Sequence, residues 1–169
     1  MATAEERLME WLRDAHAAEQ QAETMLSGTA SRLENYPELR ARMEQHVQET
    51  KRQADLVRGC IERRGGTTST IKDAGGKLLA MGQAMSGLFL GDEVMKASIA
   101  SFAFEAMEIA SYRILIETAD HVGDGETRRV CEQILREEES MAEWLKQNIP
   151  MLTRRYLRLE ETPGATAKH

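Results

Sequence analysis

Residues 94–115 read Val-Met-Lys-Ala-Ser-Ile-Ala-Ser-Phe-Ala-Phe-Glu-Ala-Met-Glu-Ile-Ala-Ser-Tyr-Arg-Ile-Leu, with apolar side chains recurring at the three- and four-residue spacing of a helix face. At about 100° per residue, Glu108 falls at the middle of the face made by Val94, Ala97, Phe104 and Leu115 and continued by Ala119 and Val122. An unpaired ionised acid in an apolar interior is costly. A helix that turns a carboxylate to the centre of its own apolar face therefore does more than fill a core.

The chain around this run is helical by composition and by punctuation. Its 169 residues include only 3 Pro and 12 Gly, and aromatic residues make up 5%; Ala, Glu, Met, Leu and Arg are common, which favours long helices over a strand-rich sandwich. A first helix, residues 4–33, carries Leu8, Leu12, Ala15, Ala22, Leu26, Ala30 and Leu33 on one face and stops before Asn35-Tyr36-Pro37. Pro37 suits the first turn of a second helix, which runs to Arg64 on Leu39, Met43, Val47, Ala54, Val57 and Ile61 and ends at Gly65-Gly66. The third helix covers residues 92–122, and the turn Gly123-Asp124-Gly125 leads into a fourth, residues 126–148, which Pro150 is expected to end. A short C-terminal helix with Tyr156 should follow, making residues 1–160 one domain and residues 161–169, with Pro163 and Gly164, a flexible tail.

Short turns make helices one and two, and three and four, antiparallel hairpins. Between the hairpins lie residues 67–91, where glycines break the pattern but Ile71, Leu78, Leu79 and Met85 suggest a shorter helix. The expected fold is all-α: an antiparallel four-helix bundle with one long, helix-containing crossover between helices two and three, the connectivity of ferritin-like folds.

The anomaly at Glu108 recurs. Glu19 is central among Leu8, Leu12, Ala15, Leu26 and Ala30, and Glu138 among Ile134, Met141, Ala142 and Leu145; Glu49 sits nearer the edge of its stripe, beside His46 and Gln53. A shift of 89 residues superimposes Glu19 on Glu108, Glu49 on Glu138 and His16 on Glu105. The two hairpins thus carry polar groups at matching positions, as in a bundle with approximate internal two-fold symmetry. Several carboxylates facing one another need protons, cationic partners or metal to offset their charge. Four of them around two divalent cations are locally neutral, which is the logic of a carboxylate-bridged di-metal site.

The remaining features exclude other classes. A net charge of −6 and no basic extension argue against nucleic-acid binding and against a DNA-protecting shell. No 18-residue apolar run is present and the acidic start is unlike a signal peptide, so a cytoplasmic protein away from the membrane is expected. Cys60 and Cys131 match no metal or redox spacing and read as buried hydrophobes. The ten methionines are scattered and read as core filling.

The segments Trp11-Leu-Arg-Asp-Ala-His-Ala-Ala-Glu19, Tyr36-Pro-Glu-Leu-Arg-Ala-Arg-Met-Glu-Gln-His46, Glu49-Thr-Lys and Phe104-Glu-Ala-Met-Glu-Ile-Ala-Ser-Tyr112 resemble the YciE/YciF family of ferritin-like bacterial stress proteins. Ile134-Leu-Arg-Glu-Glu-Glu-Ser-Met-Ala-Glu-Trp-Leu145 and Gln147-Asn-Ile-Pro150 resemble its YciE branch. The resemblance implies a rubrerythrin-related homodimer with a di-iron or di-manganese centre, a stress-response role, and dioxygen or peroxide as the small-molecule substrate. It also implies Glu19, Glu49, Glu108 and Glu138 as core carboxylates, with His46 and Glu105 as further ligands.

One departure matters. Ferritin-like sites take Glu-x-x-His from two helices, whereas Glu49 is followed at that spacing by Arg52 and Glu138 by Met141. His46, three residues before Glu49, is the histidine near either. That leaves a second reading open, a non-catalytic helical dimer or interaction module with a degenerate metal site. His16, Glu23 and Tyr112 are left between ligand, supporting hydrogen-bond partner and plain core.

Overall fold

The computed structural model describes residues 1–68 and 93–167. Among these, four long helices run α1 (Ala4–Ala30), α2 (Pro37–Arg63), α3 (Glu93–His121) and α4 (Gly125–Glu160). The expected crossover, with its inner helix, lies outside the described residues. α1 packs mainly on α2 and α3 on α4, with lighter α1–α3 and α2–α4 contacts, so the two hairpins close an antiparallel bundle in which α2 and α3 are diagonal.

Local chemistry sets the helix ends. Thr3 caps α1 in a reciprocal box: its hydroxyl accepts from the Glu6 amide at 3.2 Å, and its own amide donates to the Glu6 carboxylate at 2.8 Å. Pro37 opens α2, where its missing N–H leaves nothing unsatisfied. Gly65 and Gly123 take φ of 73° and 76°, the left-handed conformation that lets the chain leave α2 and α3. Asp124 then caps α4 by accepting from the Thr127 amide at 3.0 Å.

α4 corrects the expectation at Pro150. The helix continues through the proline to Glu160, so the separate short C-terminal helix is the last part of α4. An interior proline costs about 3 kcal/mol, while burying one large apolar side chain contributes about 1.5–3 kcal/mol. Leu152 is fully buried, and Met151, Tyr156 and Leu159 pack on the same cluster, so the continued helix recovers more than it loses. Side chains also satisfy carbonyls nearby: Asn148 donates to Trp144 O at 2.8 Å and Thr153 to Ile149 O at 2.8 Å. The residues after α4, expected as a tail, reach back to the α1–α2 corner. Asn35 donates to the Thr166 carbonyl, the Tyr36 hydroxyl donates to the Ala167 carbonyl at 2.7 Å, and Ala167 is buried.

The core falls into two apolar clusters. One, toward the α1–α2 turn, is built on Leu26, Leu33, Tyr36, Leu39, Met43, Leu145 and Leu152. The other, toward the α3–α4 turn, is built on Leu8, Leu12, Val57, Ile61, Leu115 and Ile134. His46, Gln53, Glu19, Glu105, Glu108 and Glu138 are buried but belong to neither cluster. By their places along the helices they form a polar layer across the middle of the bundle.

Candidate metal centre

Each helix delivers its part of this layer through its own periodicity. Glu105 and Glu108 stand one turn apart on α3, and His46 and Gln53 two turns apart on α2, so each pair shares a face. Glu19 comes from α1 and Glu138 from α4. All of these side chains are at least 97% buried.

The tightest group is His46, Glu105 and Glu138, whose ligand-type atoms all lie within 4.8 Å of one another. His46 Nε2 is 3.3 Å from Glu105 Oε2 and 3.4 Å from Glu138 Oε2. Neither contact has hydrogen-bond geometry, and Nε2 and both oxygens are left without partners. His46 Nδ1 faces Glu49 Oε2 at 2.8 Å. A carboxylate only accepts, so Nδ1 carries the hydrogen, and it is Nε2 that is presented to the layer.

Glu19 and Glu108 complete the layer. The Tyr112 hydroxyl donates to Glu19 Oε1, while Glu19 Oε2 and Glu108 Oε1 are buried without partners. Five metal-type donor atoms are therefore sequestered from water and unsatisfied together. A single orphaned polar atom costs about 1–3 kcal/mol, so five in one layer call for a ligand or for shared protons.

The electrostatics agree. Burial pushes the Glu19 and Glu108 carboxyls well above the ordinary range, and the charge of Glu138 adds to the push on Glu19, as that of Glu19 does on Glu108. Burial raises Glu105 to about 8, although His46 opposes it. Burial would likewise raise Glu138, but the contacts with His46 and Glu105 and the hydrogen bond from Gln53 hold it below the usual value. Burial would lower His46, yet the carboxylates of Glu105, Glu138 and Glu49 raise it to about 12. Protons thus neutralise the layer, and divalent cations would fit by replacing them. The donor set, one imidazole among carboxylates, suits iron or manganese.

Not every residue singled out in the sequence joins the group. Glu49 stands outside His46 with both oxygens engaged: Oε1 accepts from Gln45 at 2.8 Å, and Oε2 from Arg42 at 3.1 Å as well as from His46. Burial would raise it, but the His46 bond and the Arg42 charge bring it down to about 2. His16 is buried with Nδ1 unpartnered, and burial and Arg58 lower its pKa; it is not part of the triad. Glu23 faces outward, 3.6 Å from Lys51 Nζ. Tyr112 is the hydrogen-bond partner of Glu19.

Sequence reasoning gave no role to Gln53, which it noted only as a neighbour of Glu49, nor to Arg42 or Glu137. Gln53 Nε2 donates to Glu138 Oε1 at 2.6 Å and to Glu137 Oε2 at 2.9 Å, and Arg52 donates to Glu137 Oε1 at 2.9 Å. The available signal was the interval of seven between His46 and Gln53, which places an amide on the histidine's face.

Solved structures of known proteins share this architecture. A protein from Xanthomonas campestris pv. campestris is 40% identical, the match covering 95% of this chain and 100% of that one with a TM-score of 0.82. The Escherichia coli stress protein YciF is 21% identical over 88% of this chain and 96% of its own, with a TM-score of 0.78. A dodecameric thioferritin, the bacterioferritin-related protein of Bacteroides fragilis, is 16% identical over 89% and 88%, with a TM-score of 0.68. The last two likenesses concern the fold, and they make it a ferritin-like bundle. Residues 3–158, nearly the whole chain, match one family along their length, and the chain belongs to that family, described as Domain of unknown function (DUF892).

Proposed function

We propose that the polar layer holds two divalent cations, iron or manganese, and that the protein is a ferritin-like stress-response protein reactive toward dioxygen or peroxide. The observation that carries this reading is the set of five buried, unpartnered donor atoms: Glu19 Oε2, His46 Nε2, Glu105 Oε2, Glu108 Oε1 and Glu138 Oε2. His46, Glu105 and Glu138 would hold one cation, and Glu19 and Glu108, each with an unpartnered oxygen, would serve the other. Bound iron or manganese would supply one-electron redox chemistry toward the oxidant. The chain's own contribution is to orient and shield. Glu49, anchored by Arg42 and Gln45, fixes the His46 ring; Gln53 fixes Glu138; Tyr112 fixes Glu19; and the two apolar clusters keep water from the layer. The buried free thiols of Cys60 and Cys131 suit a reducing cytoplasm.

The same proposal takes the chain as a homodimer. α3 exposes Ile99, Phe102, Ala103, Ala106, Ala110 and Ile114, with Ile99 59% and Ile114 51% exposed. Two copies laid antiparallel about the point between Ala106 and Met107 set Ile99 opposite Ile114, Ala103 opposite Ala110 and Lys96 opposite Glu117. The stripe is thus complementary to itself, as an isologous interface requires.

A second reading, a non-catalytic module, is favoured by one observation: Arg52 and Met141 stand where paired Glu-x-x-His motifs would place histidines. Metal content decides between the two. The chain is loaded anaerobically with Fe(II) or with Mn(II), desalted and measured by ICP mass spectrometry beside Glu138→Ala. About two metals per chain, lost in the variant, is the expected result; none with either metal would overturn the metal centre and leave the interaction module.

A further inference from the structure

A narrow cleft between α1 and α3 leads to the polar layer. Its walls include Ala22, Met25 and Leu26 of α1 and Ala97, Ala100 and Phe104 of α3, and Glu105 lines it as well. The gradient of burial gives it a direction: Met25 and Ser101 are half-buried at its outer end, whereas Ala22, Ala97, Ala100 and Glu105 are 1–2% exposed. It encloses about 20 Å³ of free space, room for one molecule the size of water.

Three of the side chains that line this opening are alanines, the smallest that a helix interior favours. Any larger residue at Ala22, Ala97 or Ala100 would fill it. Tight packing is the rule in protein interiors, so a mostly apolar gap lined in part by Glu105, a buried residue with an unpartnered carboxylate oxygen, is unusual. The opposite, α2–α4, side of the layer is different in kind, because Glu49, Arg42, Arg52, Gln53 and Glu137 line it with charge and hydrogen bonds. A hydrated cation would have to shed water against apolar walls to pass between α1 and α3. A small apolar molecule would not, and the flexible Met25 thioether at the outer end can yield to it.

We propose that the α1–α3 cleft is the path by which dioxygen reaches Glu105 and the polar layer, a proposal that rests on the redox metal centre put forward above. Ala22, Ala97 and Ala100 are its specificity-determining residues, since they set its width and its apolar character. Charged solutes and cations are excluded from it by the same walls.

The path is tested on the metal-free full-length chain by NMR, comparing methyl relaxation under several atmospheres of dioxygen with that under nitrogen. Dissolved dioxygen is paramagnetic and relaxes the methyls it visits. The alanine methyls at 22, 97 and 100 are expected to relax at least threefold more than those of Ala119 and Leu115, which are as buried but belong to the other apolar cluster. Equal enhancement at both sets, or none at the cleft, would overturn the path. Ser101→Leu, at the half-buried outer end, plugs the cleft with little demand on the core. It is expected to remove the enhancement and to slow oxidation of the Fe(II)-loaded chain at unchanged metal content, and enhancement that survived the plug would also overturn the path. Relaxation is read without metal and metal content is measured separately. An unenhanced cleft beside a full metal complement therefore counts against the path alone, and a chain without metal counts against the centre alone.

Discussion

Gln53 on α2 donates its amide to Glu138 on α4 at 2.6 Å, and the same nitrogen donates to Glu137 at 2.9 Å. One side chain thereby fixes one of the two buried carboxylates that meet His46 Nε2. A buried carboxylate with one oxygen pinned presents the other in a defined direction, and Glu138 Oε2 is the oxygen left without a partner. Partners of this kind typically contribute 10–100-fold to metal affinity.

Gln53→Leu is accordingly expected to weaken Mn(II) binding by about 10–100-fold while the chain stays helical. Titration against a competing chelator measures the affinity and circular dichroism the helicity. Unchanged affinity would remove Gln53 from its positioning role.

Metal binding should release protons. Without metal, Glu105 is raised to about 8 and His46 to about 12, so both are protonated at pH 7 and must give up protons to become ligands. Affinity should therefore rise with pH between 6 and 8, by up to tenfold per pH unit for each proton displaced. Calorimetry in buffers of different ionisation enthalpy counts those protons. A count of zero at pH 7 would mean that the layer holds no exchangeable protons.

Far from the centre, Asp124 ties the α2 and α4 ends together. It accepts from Arg63 at 2.9 Å, from Arg64 at 2.6 Å and from the Thr127 amide at 3.0 Å. Burial would raise its carboxyl, but these donors hold it well below the usual range. A carboxyl depressed in the folded state stabilises above its unfolded pKa of about 3.9, and that stability is lost as pH falls through the folded value. Asp124→Ala is expected to cost about 2–4 kcal/mol at pH 7, from the lost cap and the stranded arginines. Urea unfolding should show this difference narrowing below pH 4, and a difference that held constant down to pH 2 would disprove the assignment.

Pro150→Ala should stabilise the chain. The helix already runs through this position and Leu152 is already buried, so the substitution restores a backbone hydrogen bond without disturbing packing. A gain of about 1–3 kcal/mol in thermal or urea unfolding is expected. A loss would show that the proline ring sets the course of the last turns.

Ile99→Glu tests the dimer. It puts a charge at the end of the α3 stripe, opposite Ile114 of the second copy and away from the polar layer, and should convert a dimer into a monomer in sedimentation velocity without loss of metal. A variant that sediments as the parent does would place any interface elsewhere.

Much of this molecule is written in periodicity. Helix positions follow from the spacing of Leu8, Leu12, Leu39, Met43 and their like, and the turns follow from Pro37, Gly65 and Gly123, because these signals act over a few residues of backbone. The carboxylates at the centres of apolar faces were legible for the same reason: Glu19, Glu108 and Glu138 stand where a helix projection puts them, and all three are buried. Pro150 shows where local signals stop, since a proline is locally a helix breaker and only the distant core that buries Leu152 outweighs it.

The grouping within the layer was decided by tertiary structure alone. A helix projection locates a side chain on a face, but not its height against the other three helices or the atoms it meets there. His46 and Glu105 stand on diagonal helices, 59 residues apart, yet they meet at 3.3 Å, while Glu49, three residues from His46, is turned outward to Arg42 and Gln45. Sequence determined that acids would occupy the core, because burial follows from the periodicity of one helix. Which of them converge, and which hold the others in place, depends on how four helices slide and rotate against one another, and packing sets that.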